Sequence, residues 1–113
     1  MTALEGVRVL EVGVFMAAPF ATLQLADLGA DVIKVESLEG EPMRASGPFV
    51  NGESSPYLRL NRSKRSVALD LKAPEGKRAF LRLAARADVL VENLRPGAMR
   101  ALGLSYDDLR AVN

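Results

Sequence analysis

Short runs rich in β-branched residues and longer apolar stretches with helical spacing take turns along the chain. Val7–Val12, reading Val-Arg-Val-Leu-Glu-Val, predicts a first strand. Pro19–Leu28 predicts a helix, with proline suited to its first position and Gly29 to its stop. Phe20, Leu23, Leu25, Ala26 and Leu28 leave that helix little polar surface, so it is expected to be buried on more than one side. Asp31–Glu36 predicts a second strand through Val32, Ile33 and Val35. From Ser37 to Ser55 the period is lost among Gly40, Pro42, Gly47, Pro48 and Gly52, and a connection this long is usually functional or disordered. A short helix follows over Pro56–Asn61, then a third strand over Ser66–Leu71, where Val67, Leu69 and Leu71 alternate with Ala68 and Asp70. Pro74–Arg86 is the clearest helix, with Pro74 at its start, Glu75 in its first turn and Phe80, Leu83, Ala84 and Ala87 as its inner stripe. Asp88–Glu92 predicts a fourth strand, and its unbroken Val89-Leu90-Val91 is expected of a strand covered on both faces. Pro96-Gly97 introduces a short helix to Leu102. Ser105 caps a last one, with Asp107 and Asp108 in its first turn.

Strands alternating with helices imply parallel pairing through crossovers, so the fold class is α/β: a Rossmann-like parallel sheet with alternating helices. With 113 residues the chain makes one domain, residues 1–113. Hydrophobic residues at 49% and charged residues at 26% describe an ordinary globular protein. A net charge of +1 gives no call for nucleic acid or an anionic membrane. Met1–Arg8 lacks the layout of a signal peptide and no apolar run is long enough to span a bilayer, so a cytoplasmic location is the default expectation. Cysteine and histidine are both absent. Disulfides, thiolate nucleophiles and metal sites built on those ligands are thereby excluded, and acid–base or nucleophilic chemistry would fall to Asp, Glu, Lys, Tyr or Ser. No metal ligands are assigned.

In an open parallel sheet, ligands bind beyond the carboxyl ends of the strands, which directs attention to Gly13–Pro19, Glu36–Arg44, Asp70–Ala73 and Asn93–Gly97. Gly13–Ala18 leads into a helix, whose first N–H groups favour an anion or a polar ligand atom. Glu36 ends the second strand like the acid that holds a ribose in dinucleotide enzymes. The glycine fingerprint is missing, however, since Phe15 and Ala18 stand where close backbone approach is needed, and a solvated strand-end acid is the better reading. Arg59, Arg62, Lys64, Arg65 and Lys72 form a basic cluster, read either as a site for a phosphate-rich small ligand or as a solvated loop. Asn93-Leu94-Arg95-Pro96-Gly97 could orient a ligand amide and meet a phosphate, or could simply turn the chain. Without histidine, Ser63 and Ser66 cannot belong to a triad.

Three blocks carry a more specific likeness. LEGVRVLEVGVFMAAPFATLQLADLGADVIKVE, NRSKRSVALDLKAPEGK and ADVLVENLRPGAMRALGLSYDDLRAVN resemble, in order and spacing, the opening of the family III coenzyme A transferases. That family includes formyl-CoA transferase, carnitine CoA-transferases and α-methylacyl-CoA racemase. The resemblance runs from about Leu4 to Asn113. It implies part of the family's large Rossmann-like domain, in a homodimer whose chains intertwine. Coenzyme A or acyl-CoA is implied as substrate and a carboxylic acid as acceptor, with no permanently bound cofactor, no nucleic acid and no membrane. By the resemblance Met16 and Ala17 lie near the thioester end, and Leu69, Asp70, Leu71, Lys72, Asn93, Leu94 and Arg95 contact coenzyme A. Formyl-CoA transferase has Arg at the positions of Ser37 and Ala101, where Arg44 or Arg100 could substitute.

The resemblance also implies a catalytic Asp downstream of these blocks in the transferases. It attacks acyl-CoA to give a mixed anhydride, and an enzyme thioester then carries the coenzyme to the acceptor. Racemases use an acid/base pair, also downstream. No catalytic residue is assigned within the chain, which is expected to be a fragment or truncated product and inactive alone. A racemase segment, a coenzyme A or nucleotide-binding module without chemistry, and an interaction protein pairing through an open sheet edge are the alternatives.

Overall fold

The structure is a computed structural model describing residues 1–113. In chain order it contains β1 (Arg8–Val12), α1 (Ala17–Asp27), β2 (Asp31–Glu36), a 3₁₀ turn (Pro42–Ala45), β3 (Phe49–Val50), β4 (Glu53–Ser54), α2 (Ser55–Asn61), β5 (Arg65–Ala68), α3 (Pro74–Ala84), β6 (Val89–Glu92), α4 (Ala98–Ala101) and α5 (Tyr106–Arg110). The main sheet is parallel throughout, in the order β5-β2-β1-β6, and β3 and β4 form a separate hairpin. Strand order therefore reverses between β1 and β6, which is where an open α/β sheet forms its ligand crevice.

Local chemistry sets the element ends. Gly29, at φ +104°, closes α1 in a left-handed turn, with its N–H donating to Ala26 O (2.9 Å) and the Ala30 N–H to Leu25 O (3.0 Å). That is the double bond pattern with which glycine satisfies the last helical carbonyls. α3 stops at Ala84, short of the expected Arg86, because the next amides tighten to bonds three residues back, Arg86 to Leu83 and Ala87 to Ala84. β5 likewise ends at Ala68, short of the expected Leu71. The Asp70 carboxylate accepts the Lys72 N–H (3.0 Å) and its carbonyl the Ala73 N–H (3.1 Å), which bends the chain out of the ladder. A Cβ at Gly76 would fall on the Asp70 carbonyl, so glycine lets α3 start against this turn. Ser105 and Asp108 form a reciprocal capping box on α5.

The period of two in the strands gives the sheet two unlike faces. Leu10, Val12, Ile33 and Val35 pack with Phe80 and Ala84 of α3 and with Leu104. On the other face Val9 and Val32 pack with Ala26 of α1 and Ala30.

Two expectations need correction. α1 is buried on one side only: Phe20 within it and Leu28 at its C-cap are 55% and 50% exposed. β6 is an edge strand with Val89 39% exposed, and its apolar run is covered only in part, Leu90 packing against the core on one face and Val91 against that on the other. Of the two readings of Ser37–Ser55, functional or disordered, the structure speaks only against the second: the stretch is ordered locally by the 3₁₀ turn, which Glu41 caps through the Met43 N–H, and by the β3–β4 hairpin.

Candidate functional site

At the carboxyl ends of β1, β2 and β5 lies a cavity of about 450 Å³. Val12, Gly13 and Val14 line it from β1 and Glu36–Glu39 from β2. Leu69–Lys72 line it from the turn after β5, and Leu94 and Leu102 from beyond β6. Its walls are largely aliphatic, with Lys72 as the cation and Glu36, Glu39, Glu41 and Asp70 as the acids. No group of three or more carboxylates is placed to hold a metal ion, and no helix is long and apolar enough to cross a membrane.

The turn leaving β1 is held in an unusual way. The Gly13 carbonyl accepts Lys34 Nζ (3.1 Å), and the Val14 N–H donates to Asn93 Oδ1 (2.9 Å). The Val14 carbonyl accepts Asn93 Nδ2 (2.9 Å), and the Phe15 N–H donates to Glu41 Oε2 (3.1 Å). The Asn93 amide thus continues the β1–β6 ladder past its last pair, Val12 with Glu92. Gly13 is needed for close approach: a Cβ there would stand 2.6 Å from Ala18 Cβ and 2.7 Å from Glu11 Oε2.

Beneath this turn lies a buried charge network. Lys34 Nζ sits 2.9 Å from Glu11 Oε2 and 3.4 Å from Glu41 Oε2, all three side chains being nearly inaccessible. Glu11 Oε1 also accepts Lys64 Nζ (2.8 Å) and Thr22 Oγ1 (2.6 Å). Burial pulls the Lys64 ammonium below the ordinary lysine range, against the raising effect of Glu11. A second cluster adjoins it. Five donors occupy the two oxygens of Glu36: Arg44 Nε and an Arg44 terminal nitrogen, Tyr57 OH, Ser66 Oγ and the Glu41 N–H. Burial would raise the pKa of Glu36, but these bonds, that of Arg44 foremost, hold it well below the usual carboxylate range. Burial, then the bond to Glu36, pushes the Tyr57 phenol far above its ordinary value. The Arg44 guanidinium lies 3.9 Å from the Tyr57 ring centre.

The sequence-predicted residues sort into three groups. Leu69, Asp70, Leu71, Lys72 and Leu94 line the cavity together with Gly13. Asn93 lies beside it, with its amide bonded to the Val14 backbone. Met16, Ala17, Arg95 and Arg100 are exposed and do not line it. The basic cluster is not one site: Arg62 pairs with Asp27, Arg65 with Asp31, and Lys64 is buried on Glu11. Arg44, a suggested substitute contact, is engaged by Glu36. Glu36 itself, 5% exposed, is no solvated acid. Glu11 and Lys34 had no place among the sequence candidates, and Glu41 was covered only as part of the Glu36–Arg44 segment. The available sign was Glu11 and Lys34, opposite charges that become register partners once β1 pairs β2 in parallel.

Comparison with known proteins agrees along nearly the whole chain. The sequence profile described as CoA-transferase family III matches residues 4–113. Succinyl-CoA:glutarate CoA-transferase of Mus musculus is 50% identical over 114 residues, covering 99% of this chain and 26% of that protein. Succinyl-CoA:mesaconate CoA-transferase of Haloarcula hispanica is 44% identical, covering 100% of this chain and 30% of that protein. Among solved structures, a CAIB/BAIF family protein from Brucella suis superposes with a TM-score of 0.93 at 42% identity, over 99% of this chain and 31% of that one. A hypothetical protein from Mycobacterium tuberculosis gives 0.93 at 45% identity, over 100% and 31%. The chain thus spans between a quarter and a third of the length of these relatives.

Proposed function

This chain belongs to CoA-transferase family III, and from that membership we propose that it supplies part of the coenzyme A site of an enzyme that moves the coenzyme from an acyl-CoA to a carboxylic acid. The observation carrying the reading is the shared cavity. It gathers Gly13, Leu69–Lys72 and Leu94 at the carboxyl ends of the strands, beside the point where strand order reverses. The aliphatic part of the wall suits a long, weakly polar arm and Lys72 a phosphate; of the four acids that share the wall, Glu36 and Glu41 are neutralised by Arg44 and Lys34 and Asp70 is turned to the Lys72 N–H. The curated relatives named above are CoA-transferases, which supports transfer as the chemistry.

In this reading Leu69, Leu71 and Leu94 pack against the ligand, Lys72 meets a phosphate, and Asp70 shapes the turn that presents Lys72. Asn93 acts through Val14. Met16 and Ala17 stand toward the thioester, and Arg95 and Arg100 approach the phosphates from solvent. The attacking carboxylate is assigned to no residue of this chain. Glu11, Glu36 and Glu41 are engaged by internal cations, and a nucleophile needs a carboxylate free to reach the thioester carbon. A homodimer is the proposed assembly.

Calorimetric titration of the chain with coenzyme A tests the reading. Saturable binding is expected. Lys72→Ala should weaken it by on the order of 1–3 kcal/mol, the worth of a hydrogen bond to a charged group. Equal affinity for both proteins would take Lys72 out of the site.

A further inference from the structure

We propose that Glu41, braced by Lys34, is a positioning residue for the thioester end of the ligand, acting through the backbone of residues 13–15; this rests on the coenzyme A reading above. Four consecutive main-chain groups, from the Gly13 carbonyl to the Phe15 N–H, are bound by side chains distant in sequence: Lys34, Asn93 twice, and Glu41. Two of the three clamping side chains are buried and lie 3.4 Å apart as an ion pair. Phe15 is held at φ +59°. For a bulky residue the left-handed region is unfavourable, and it persists where the surroundings over-determine it. A connection serving only to join β1 to α1 could take this conformation with glycine at no steric cost.

The clamp instead presents two large apolar side chains. Val14 lines the cavity, and Phe15 and Met16, the next two residues, are 47% and 63% exposed. Their chemistry suits an aliphatic arm or an acyl group, not a phosphate. Lys72 lies on a different segment of the cavity wall, after β5. Glu41 should therefore govern the part of the ligand that carries sulfur and leave the nucleotide part alone.

Two ligands separate these parts: coenzyme A, and adenosine 3′,5′-bisphosphate, which lacks the arm. Glu41→Ala removes the acceptor for the Phe15 N–H. Glu41→Gln keeps one oxygen, which the neighbouring Lys34 ammonium orients toward Phe15, at the cost of the cap on the Met43 N–H, which both variants lose. Amide exchange at Phe15, followed by NMR without ligand, should quicken by about tenfold or more in Glu41→Ala and stay close to the parent rate in Glu41→Gln. In calorimetry, Glu41→Ala should weaken coenzyme A by about tenfold and the bisphosphate by less than about twofold, with Glu41→Gln restoring the coenzyme A affinity. An equal loss on both ligands, or undiminished coenzyme A binding despite rapid exchange at Phe15, overturns the proposal. If Glu41→Ala does not fold, Phe15→Gly leaves every buried charge in place and must weaken coenzyme A selectively; unchanged affinity there also overturns it. Failure of the parent chain to bind either ligand defeats the coenzyme A reading and the thioester assignment with it. Phe15 exchange, which needs no ligand, tells that result apart from a failed clamp.

Discussion

Toward α3 the sheet presents Leu10, Val12, Ile33 and Val35; toward α1 and α2 it presents Val9, Glu11, Val32, Lys34 and Glu36. Both sets are buried to a similar degree, by opposite means. The first face is cohesive through apolar contact, whose strength follows the area removed from water and is indifferent to direction. The second is apolar only at its amino-terminal end. Nearer the cavity it becomes a set of paired charges, each needing a particular partner at a particular distance. The cavity itself is lined from the apolar face by Val12, Val35, Leu69, Leu71, Leu94 and Leu102, but the turn at its rim, Gly13–Phe15, is fixed from the directional face. That follows from what a turn such as Gly13–Phe15 requires: carbonyls and amides can be fixed by ammonium and carboxylate groups but not by leucine.

Substitutions that conserve type sharpen this contrast most. Phe80→Ala on the apolar face should cost about 3–5 kcal/mol, as a cavity opens in the main core. Lys34→Met should cost a similar amount, about 3–5 kcal/mol, although it deletes little volume, because Glu11 and Glu41 lose a shared buried cation. The conservative partners should then diverge. Phe80→Leu stays apolar and should cost well under the alanine variant. Lys34→Arg keeps the charge but puts a planar fork where a compact ammonium serves Glu11, Gly13 and Glu41, and should recover little of the loss. Urea denaturation of the four variants measures this. Equal tolerance to Phe80→Leu and Lys34→Arg would show that the charged face is no more directional than the apolar one.

The second contrast is in pH. Titration leaves the apolar face untouched, whereas Glu36 and Tyr57 make the other face sensitive at both ends. The folded-state pKa of Glu36 is depressed, so its contribution is fully present above the ordinary glutamate value of about 4.3 and is lost as pH falls below it. That of Tyr57 is raised, so its contribution is present below the ordinary tyrosine value of about 10 and is lost as pH rises above it. Glu36→Gln should cost about 1–3 kcal/mol at neutral pH through weakened charged hydrogen bonds. The gap between parent and variant should narrow as pH drops below about 4. Melting curves from pH 2 to 8 measure that gap, and a constant offset would mean that Glu36 acts by shape alone.

The apolar face was legible in the sequence because its signal is local. Alternation at Leu10 and Val12, at Ile33 and Val35, and the stripe on α3 that includes Phe80 and Ala84, place the strands, the helix and the main core without knowledge of any partner. The charged face was not legible, because alternation assigns a polar residue to solvent. Glu11 and Lys64 are 53 residues apart, and Asn93 grips Val14 across 79. Nothing near Asn93 in sequence points to a backbone amide as its target, although its place after a strand did mark it as a candidate. The same limit misplaced Arg62, Lys64 and Arg65, close in sequence and sent by the fold to three different carboxylates. Exposure of Phe20 and Leu28 was misjudged for a related reason: the composition of α1 shows what the helix is able to bury, not what lies against it.

The smallest expected effect isolates burial from charge. Asp31 meets two cations, Arg8 Nε at 2.9 Å and an Arg65 terminal nitrogen at 2.8 Å, so by partner count and distance it resembles Glu11. Its side chain is 37% exposed, however, and water competes for every bond. Burial acts to raise its pKa, and the bonds from Arg65 and Arg8 outweigh it to leave the carboxyl below its ordinary value. Screening at that exposure removes most of the worth of such pairs, so Asp31→Asn should cost less than about 1 kcal/mol. Even that should fade near 1 M salt, where the screening length falls to about 3 Å. Lys34→Met should keep its full deficit under the same salt, since its partners lie beyond the reach of ions. Matching losses for the two variants, or matching salt dependence, would mean that dielectric surroundings do not separate these ion pairs, and the case for a rigid clamp behind Gly13–Phe15 would lose its physical basis.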